Sequence, residues 1–133
     1  MEEITVQIEA EVYPTEDETK VKRALESIFS SLQFELKQLK RGSLLAAKTS
    51  GTDGLTKLYN LLRRDRIRDA TRSVMYKGIV GHSIVFYLNK QVAYAGHVSF
   101  SQPSGESPLG PIRVEIQCDD PRQVIDWLAP RTA

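Results

Sequence analysis

Apolar and polar residues alternate along the first dozen positions of the chain. The apolar set is Ile4, Val6, Ile8, Ala10 and Val12, and the residues between them are Thr5, Gln7, Glu9 and Glu11. Because successive side chains of a strand point to opposite faces, this alternation predicts a β-strand with one apolar and one acidic face. We expect the chain to begin with a strand that is buried on one side only.

The pattern becomes helical after Pro14. Apolar residues then recur at spacings of three and four, at Val21, Ala24, Leu25, Ile28 and Phe29. This spacing places them on one face of an amphipathic helix. Thr15 and Glu18 precede that stripe and are typical of a capping box, in which each side chain accepts a hydrogen bond from a free N–H of the first turn. The sequence therefore predicts a helix that is capped at Thr15.

Strand-like alternation returns between residues 32 and 48, with a turn predicted at Arg41-Gly42. Two helical stripes follow, the first at Leu55, Leu58, Tyr59 and Leu62 and the second at Ile67, Ala70 and Val74. The step from Leu62 to Ile67 turns the apolar face too far for one straight helix to bury both stripes. We expect a break near Arg63–Arg66 and a separate helix on each side of it.

The last third of the chain predicts three strands and a helix. Segments 83–88 and 91–100 form a hairpin in this interpretation, with a two-residue turn at Asn89-Lys90. Segment 112–117 is the last strand, and Asp120 is the N-cap of the closing helix.

The predicted order of elements is β-α-β-β-α-α-β-β-β-α. Neighbouring strands separated by helices are typical of the α+β class, with a mainly antiparallel sheet and helices packed on one face. We expect residues 1–133 to form a single α+β domain, because no linker or repeat divides them.

Composition narrows the classes of function. The 133 residues include one cysteine, Cys118, and carry a formal net charge of +1. One cysteine excludes an internal disulfide and a cysteine-rich metal framework. No apolar run reaches the roughly 18 residues of a membrane span, and the acidic N-terminus lacks the basic start of a signal peptide. We expect a cytoplasmic protein with no membrane partner, no cofactor and no identified small-molecule substrate.

The near-zero net charge conceals an asymmetry along the chain. Residues 1–18 contain seven acids and no Lys or Arg, whereas residues 57–77 contain seven bases and two acids. The candidate nucleic-acid-binding residues in the second segment are Lys57, Arg63, Arg64, Arg66, Arg68 and Arg72. Arg64, Arg68 and Arg72 recur every four residues. This row lies opposite the predicted apolar face of the second helix, so we expect it to face solvent. Arginine binds phosphate through a fork of donors, which favours contact with a nucleic acid. The alternative to this interpretation is a solvated or dimer-facing helix.

Candidate metal-binding and catalytic residues are few. In the predicted hairpin, His82 faces His97, but no third ligand accompanies this weak candidate pair. The segment Gly51-Thr52-Asp53-Gly54 has the spacing of a phosphate-binding loop, but Asp53 has the wrong charge for phosphate, and helix capping by Thr52 or Asp53 is the favoured explanation. Cys118 and the histidines lack a recognisable nucleophile motif, so we predict no catalytic residues and no enzyme.

Four segments resemble an uncharacterised archaeal protein family, in order and over nearly the whole chain. They are Val12–Asp17, Ile67–Arg72, Leu88–Gln91 and the distinctive Glu106-Ser107-Pro108-Leu109-Gly110-Pro111-Ile112. The resemblance implies an α+β fold similar to that of a large-subunit ribosomal protein that contacts the smallest ribosomal RNA. It also implies dimers, and a label of predicted RNA-binding or exosome-associated subunit. No role for Glu106 or Ser107 follows from it.

Two hypotheses of different classes result. The first is a non-enzymatic homodimeric binding module that contacts RNA through the basic helix. The second is a homodimeric interaction or scaffold protein without a nucleic-acid role. In that case the hairpin, apolar on both faces through Ile84 and Phe86 on one side and Val85 and Tyr87 on the other, packs against a second subunit.

Overall fold

The computed structural model describes residues 3–103 and 110–132. The strands are β1 (Thr5–Val12), β2 (Gln33–Gln38), β3 (Ser43–Ser50), β4 (Ile79–Val80), β5 (Ser83–Asn89) and β6 (Pro111–Gln117). The helices are α1 (Glu18–Glu26), α2 (Gly51–Gly54), α3 (Thr56–Arg64), α4 (Arg68–Lys77), α5 (Lys90–Tyr94) and α6 (Pro121–Leu128). The predicted α+β class is confirmed, and the order of elements agrees roughly: α2 and β4 are additional, and α5 replaces the strand predicted at 91–100.

The described strands form one six-stranded sheet in the order β2-β3-β1-β6-β5-β4. Each pair of neighbours is antiparallel. Alternate residues of β1, β5 and β6 are buried, and they pack against the apolar sides of the helices. The first strand is therefore buried on one side, as its alternation predicts, and the opposite face of the sheet carries its polar residues.

The predicted capping box at Thr15 and Glu18 is wrong. Asp17 is the N-cap instead, and its carboxylate accepts a hydrogen bond from the backbone N–H of Thr19 at 2.9 Å. Residues 13–16 form a turn in which the backbone N–H of Glu16 donates to the carbonyl of Tyr13. Because this turn must be completed first, the helix begins at Glu18.

The predicted caps Thr52 and Asp53 are also wrong. Both lie within the short helix α2, whose N-cap Ser50 makes no side-chain capping bond. Gly54 is required by packing, since a Cβ atom there would lie 2.5 Å from Oγ1 of Thr49. The glycines of this segment therefore allow β3 to pass directly into the helical layer.

The predicted hairpin at Asn89-Lys90 does not form. Asn89 caps helix α5, because its side chain accepts a hydrogen bond from the N–H of Val92 at 3.0 Å. Gly96 then reverses the chain at a φ of 78°. Segment 97–101 returns along β5, but it is joined to that strand by a single bridge, between Leu88 and Phe100.

The side chain of Lys90, the first residue of α5, is buried where the chain leaves β5. Its side chain is fully buried, with 0% exposure, and its Nζ lies 3.0 Å from Oε1 of Glu16, whose side chain is 6% exposed. The ammonium also donates to the backbone carbonyl of Glu11 and lies over the Tyr13 ring. These contacts join β1 and the turn that follows it to the first residue of α5.

Glu16 also serves as an acceptor for the surrounding groups. Its Oε1 accepts from the backbone N–H of Tyr13 at 3.0 Å, and its Oε2 accepts from the hydroxyl of Tyr94 at 2.8 Å. Burial raises the pKa of the Tyr94 hydroxyl, and the bond to Glu16 raises it further. Tyr94 therefore stays protonated and keeps its donor role at any physiological pH.

Three of the four segments that carry the archaeal resemblance meet at this cluster. Residues 12–17 supply Tyr13 and Glu16, and residues 88–91 supply Lys90. Gly110 lies against Tyr13, since a Cβ atom there would be 3.2 Å from the tyrosine hydroxyl. Residues 104–109, which include Glu106 and Ser107, lie outside the described residues.

We expect Lys90→Met to lower the free energy of unfolding by about 3 kcal/mol, because it leaves the buried Glu16 carboxylate without its counter-charge. Denaturant unfolding at neutral pH measures this difference. Lys22→Met is the matched control, since Lys22 pairs with Glu18 at the surface and such a pair contributes less than about 1 kcal/mol. Equal losses from the two substitutions would contradict the structural role of Lys90.

Candidate nucleic-acid interface

The predicted break in the helical region is confirmed. Helix α3 ends at Arg64 and α4 begins at Arg68. Arg66 lies between them at a φ of 56°, in the left-handed region that residues with a side chain rarely adopt. The N–H of Ile67 then donates to the carbonyl of Leu62 at 3.1 Å, which closes the turn. This joint lets α4 start in a new direction, with Thr71 and Met75 buried.

Arg63 points into the protein rather than toward a ligand. Its guanidinium donates to the carbonyls of Leu128 at 3.1 Å and Trp127 at 3.3 Å, at the end of α6. The same group lies 3.4 Å from the centre of the Tyr59 ring, and that ring stacks on Trp127. Arg63 therefore holds α3 against the carboxyl end of α6.

Lys57 has a similar structural contact on the other side of α3. Its Nζ donates to the carbonyl of Glu26 at 2.7 Å, in the last residue of α1. A cation at that end of a helix also interacts favourably with the helix dipole. The Lys57 side chain thus connects two helices of the layer.

Arg64, Asp65 and His97 form an exposed cluster at the joint. The Nε of Arg64 lies 2.9 Å from Oδ1 of Asp65, and its terminal nitrogen donates to the carbonyl of Gly96 at 2.9 Å. Nδ1 of His97 lies 3.2 Å from Oδ2 of Asp65. The hydrogen bond from Arg64 is the main cause that lowers the pKa of the Asp65 carboxyl, against partial desolvation and with help from His97.

The two histidines do not face each other, because the hairpin that would pair them is replaced by α5. His82 contacts the carbonyl of Asp119 at 3.0 Å, whereas His97 contacts the Arg64 cluster. Within residues 3–103 and 110–132, no group of three or more His, Cys, Asp or Glu side chains is placed to hold a metal ion. Cys118 is buried, and burial raises the pKa of its thiol, which disfavours the thiolate.

Arg72 does not face open solvent as the row of arginines predicts. Its guanidinium lies 2.7 Å from Oδ1 of Asp126 and donates to the carbonyl of Ala129 at 3.2 Å. The inward face of α4 consists of Thr71 and Met75, and Ala70 is exposed. Thr71 can be buried because its hydroxyl donates a hydrogen bond to the carbonyl of Ile67 at 2.7 Å. Compared with the orientation that the apolar stripe predicts, α4 is therefore rotated about its axis, and Arg72 lies beside α6.

This rotation creates a groove of about 520 Å³ between α4, α6 and the segment after α6. The groove is lined by Asp69, Arg72, Ser73, Tyr76, Arg122 and Arg131. The hydroxyl of Tyr76 accepts a hydrogen bond from Arg72 at 3.2 Å. Asp69 accepts from the hydroxyl of Thr132. The groove therefore presents a cluster of arginines next to an aromatic ring.

Arg122 and Arg131 are absent from the sequence-based candidates, since they are 50 or more positions away from Arg72 in the chain. Arg122 lies in the first turn of α6, on the face opposite the buried Val124 and Ile125. The polar face of this amphipathic helix is the sequence pattern from which an exposed Arg122 can be predicted.

Four arginines, just before and at the start of α4, in the first turn of α6 and after α6, have no side-chain partner in the described part of the chain. Among the residues that the structure describes, the side chains of Arg66, Arg68, Arg122 and Arg131 make no hydrogen bond and no ion pair. Arg68 precedes Arg72 by one helical turn, so both lie on the same side of α4. We call these four residues, together with Arg72, the α4 surface.

Comparison with known proteins gives consistent matches. A family model described as RNA binding matches residues 5–118. The chain is 50% identical over 123 residues to a UPF0201 protein of Pyrobaculum aerophilum, with 92% of this chain and 86% of that protein covered. It is 45% identical over 127 residues to a UPF0201 protein of Thermococcus kodakarensis, with 96% and 90% covered.

The solved structures agree with this result. A crystal structure of a UPF0201 protein from Methanococcus jannaschii has a TM-score of 0.86 at 37% identity, covering 97% of this chain and 95% of that one. A DUF54 protein from Methanothermobacter thermautotrophicus has a TM-score of 0.66 at 16% identity, covering 96% and 99%, and shares the fold. The archaeal resemblance is therefore confirmed, whereas the likeness to a ribosomal protein stays a prediction. No described helix is long and apolar enough to span a membrane.

We expect Arg63→Ala to lower the free energy of unfolding by about 2 kcal/mol, because hydrogen bonds from a charged donor to the end of α6 are lost. Thermal or denaturant unfolding measures the loss. Arg68→Ala is the control, since Arg68 lies on the neighbouring helix without a described side-chain partner, and we expect a change within about 0.5 kcal/mol. A neutral Arg63→Ala would show that these contacts do not stabilise the packing of α3 on α6.

Proposed function

Because the chain belongs to the UPF0201 family and matches a family model described as RNA binding, we propose that it is a non-enzymatic RNA-binding protein that uses the α4 surface. The observation that carries this proposal is the presence of Arg66, Arg68, Arg122 and Arg131 without side-chain partners in the described structure. Unpaired arginines at a surface are available to bind phosphate oxygens. RNA as a ligand also suits the cytoplasmic location expected from the sequence.

Arg72 adds a preorganised donor to this surface. Its side chain is 17% exposed and is held by Asp126, so little side-chain freedom is left to lose when a ligand binds. Tyr76 lies next to it in the groove, and the Arg72 guanidinium lies over the Tyr76 ring, 4.9 Å from the ring centre. A base can stack on the plane of this guanidinium. Phosphate contacts with a stacking site beside them favour single-stranded RNA over a uniform duplex.

Lys57 and Arg63 are excluded from the proposed interface. Both donate to main-chain carbonyls at helix ends, where they stabilise packing and are oriented away from a ligand. Arg64 borders the interface but is neutralised by Asp65. The interface therefore keeps Arg66, Arg68 and Arg72 from the original set and adds Arg122 and Arg131.

The scaffold hypothesis loses its main support. It requires a hairpin with two free apolar faces, but Ile84 and Phe86 are buried in the core of this chain. Val85 and Tyr87 remain on the open face of the sheet, where Glu115 and Arg113 are their cross-strand neighbours. That face is polar, which favours solvent over an extensive hydrophobic interface.

The charge of the chain sets the expected strength of binding. A net charge of +1 gives little long-range attraction, so affinity depends on a few local phosphate contacts. For single strands each neutralised phosphate contributes about −0.7 to the slope of log K against log salt. We expect a slope of roughly −2 to −3 for three to four contacts.

We expect the double substitution Arg66→Ala and Arg68→Ala to weaken binding of single-stranded RNA by about tenfold, with a shallower salt dependence. Fluorescence anisotropy with a labelled single strand, repeated with a duplex, measures both quantities. The matched control is Lys40→Ala with Arg41→Ala, an equal loss of charge at an exposed turn between β2 and β3. Equal losses for the two pairs, or no binding by the unsubstituted protein, would contradict the proposed interface.

A further inference from the structure

The β2 edge, which we define as Gln33–Gln38, lies at the border of the sheet. Within the described residues its single strand neighbour is β3, so one side of its backbone is unpaired. Five of its six residues are exposed, and the sixth, Phe34, is half-buried. The opposite border strand, β4, has two residues and ends at Gly81 with a φ of 60°, which shortens that edge. A long free edge of this kind is a template for pairing with another strand.

Two apolar side chains on or beside this edge are exposed, and its charged side chains are of both signs. Leu36 is 36% exposed, and Leu39, just after the strand, is 45% exposed. Glu35 and Lys37 flank Leu36 and have opposite charges. Like charges at these two positions would repel a second copy in a register centred on Leu36, whereas opposite charges attract in that register.

We propose that two copies of this chain pair through antiparallel β2 edges about a two-fold axis centred on Leu36. In that register Leu36 faces Leu36 of the second copy. Glu35 faces Lys37 of the second copy, and by symmetry Lys37 faces its Glu35. The two six-stranded sheets then continue edge to edge, in a closed arrangement that uses the same surface twice.

Charge and pleat together favour this register over the two that are centred on the neighbouring residues. Directly opposed residues of an antiparallel pair lie on the same face of the sheet, so a symmetric register must be centred on a residue. Centring on Glu35 would place two carboxylates opposite each other, and centring on Lys37 would place two ammonium groups opposite each other. Centring on Leu36 replaces both repulsions with two attractive pairs and covers an exposed apolar side chain.

This dimer leaves the α4 surface open. Helix α4 packs on β5 and α6, and β5 lies at the other side of the sheet from β2. The inference therefore does not depend on the proposed RNA binding, and either one can fail without the other. Because a six-residue strand is a small interface, the dimer is reversible.

Charge reversal tests the register through sedimentation velocity. We expect Glu35→Lys and Lys37→Glu each to raise the dimer dissociation constant by at least about tenfold, since each creates two like-charge contacts. An equimolar mixture of the two variants should form a heterodimer, in which every facing pair is again opposite in charge. The double variant should dimerise like the original protein, and Lys40→Glu, just outside the strand, should have no effect.

A cysteine variant tests the geometry independently of charge. The native Cys118 is buried, so Leu36→Cys introduces an accessible thiol that faces its own copy across the axis. Opposed Cα atoms about 4.5–5.5 Å apart are within the range of a disulfide. Leu36→Cys should form a covalent dimer rapidly on mild oxidation, and Glu35→Cys, which does not face itself, should form it slowly. A monomeric original protein, no heterodimer from the mixed variants, or equal cross-linking at both positions would overturn the proposal.

Discussion

The buried ion pair between Lys90 and Glu16 is the constraint on which the arrangement of the chain depends. A buried ammonium requires a counter-charge and further acceptors, and these come from Glu16 and from the backbone carbonyl of Glu11 in β1. To reach them, the chain must turn inward directly after β5. That turn forms α5 and sets the path of the return segment, which brings Gly96 and His97 to the joint between α3 and α4.

Much of the fold is predictable because apolar periodicity reports burial directly. The one-sided first strand, the break after Leu62 and the cap at Asp120 all follow from local spacing, and the structure confirms them. Segment 90–94 is different, because five residues are too few for the pattern to separate a strand from a helix. The decisive residue there is a lysine in the core, and hydrophobic patterning assigns every lysine to the surface.

The candidate site is predictable in composition but not in geometry. Counting cations identifies the basic segment, yet it cannot show that Arg63 and Lys57 donate to main-chain carbonyls of other helices. The rotation of α4 is set by Thr71, a polar residue that is buried because its hydroxyl bonds within the helix. Arg122 and Arg131 join the surface through tertiary packing alone, which no local pattern encodes.

The net charge of +1 counts all cations alike, whereas the structure separates cations that have internal partners from cations that do not. Arg63, Lys57 and Lys90 balance carboxylates in the sum, but their donors are committed to internal carbonyls or to Glu16. Arg66, Arg68, Arg122 and Arg131 remain available, so availability rather than total charge determines what the surface can bind. In a dimer joined at β2, two such surfaces lie at opposite ends of one continuous sheet. One RNA that reaches both surfaces would bind far more tightly than each surface does separately, because the second contact is intramolecular.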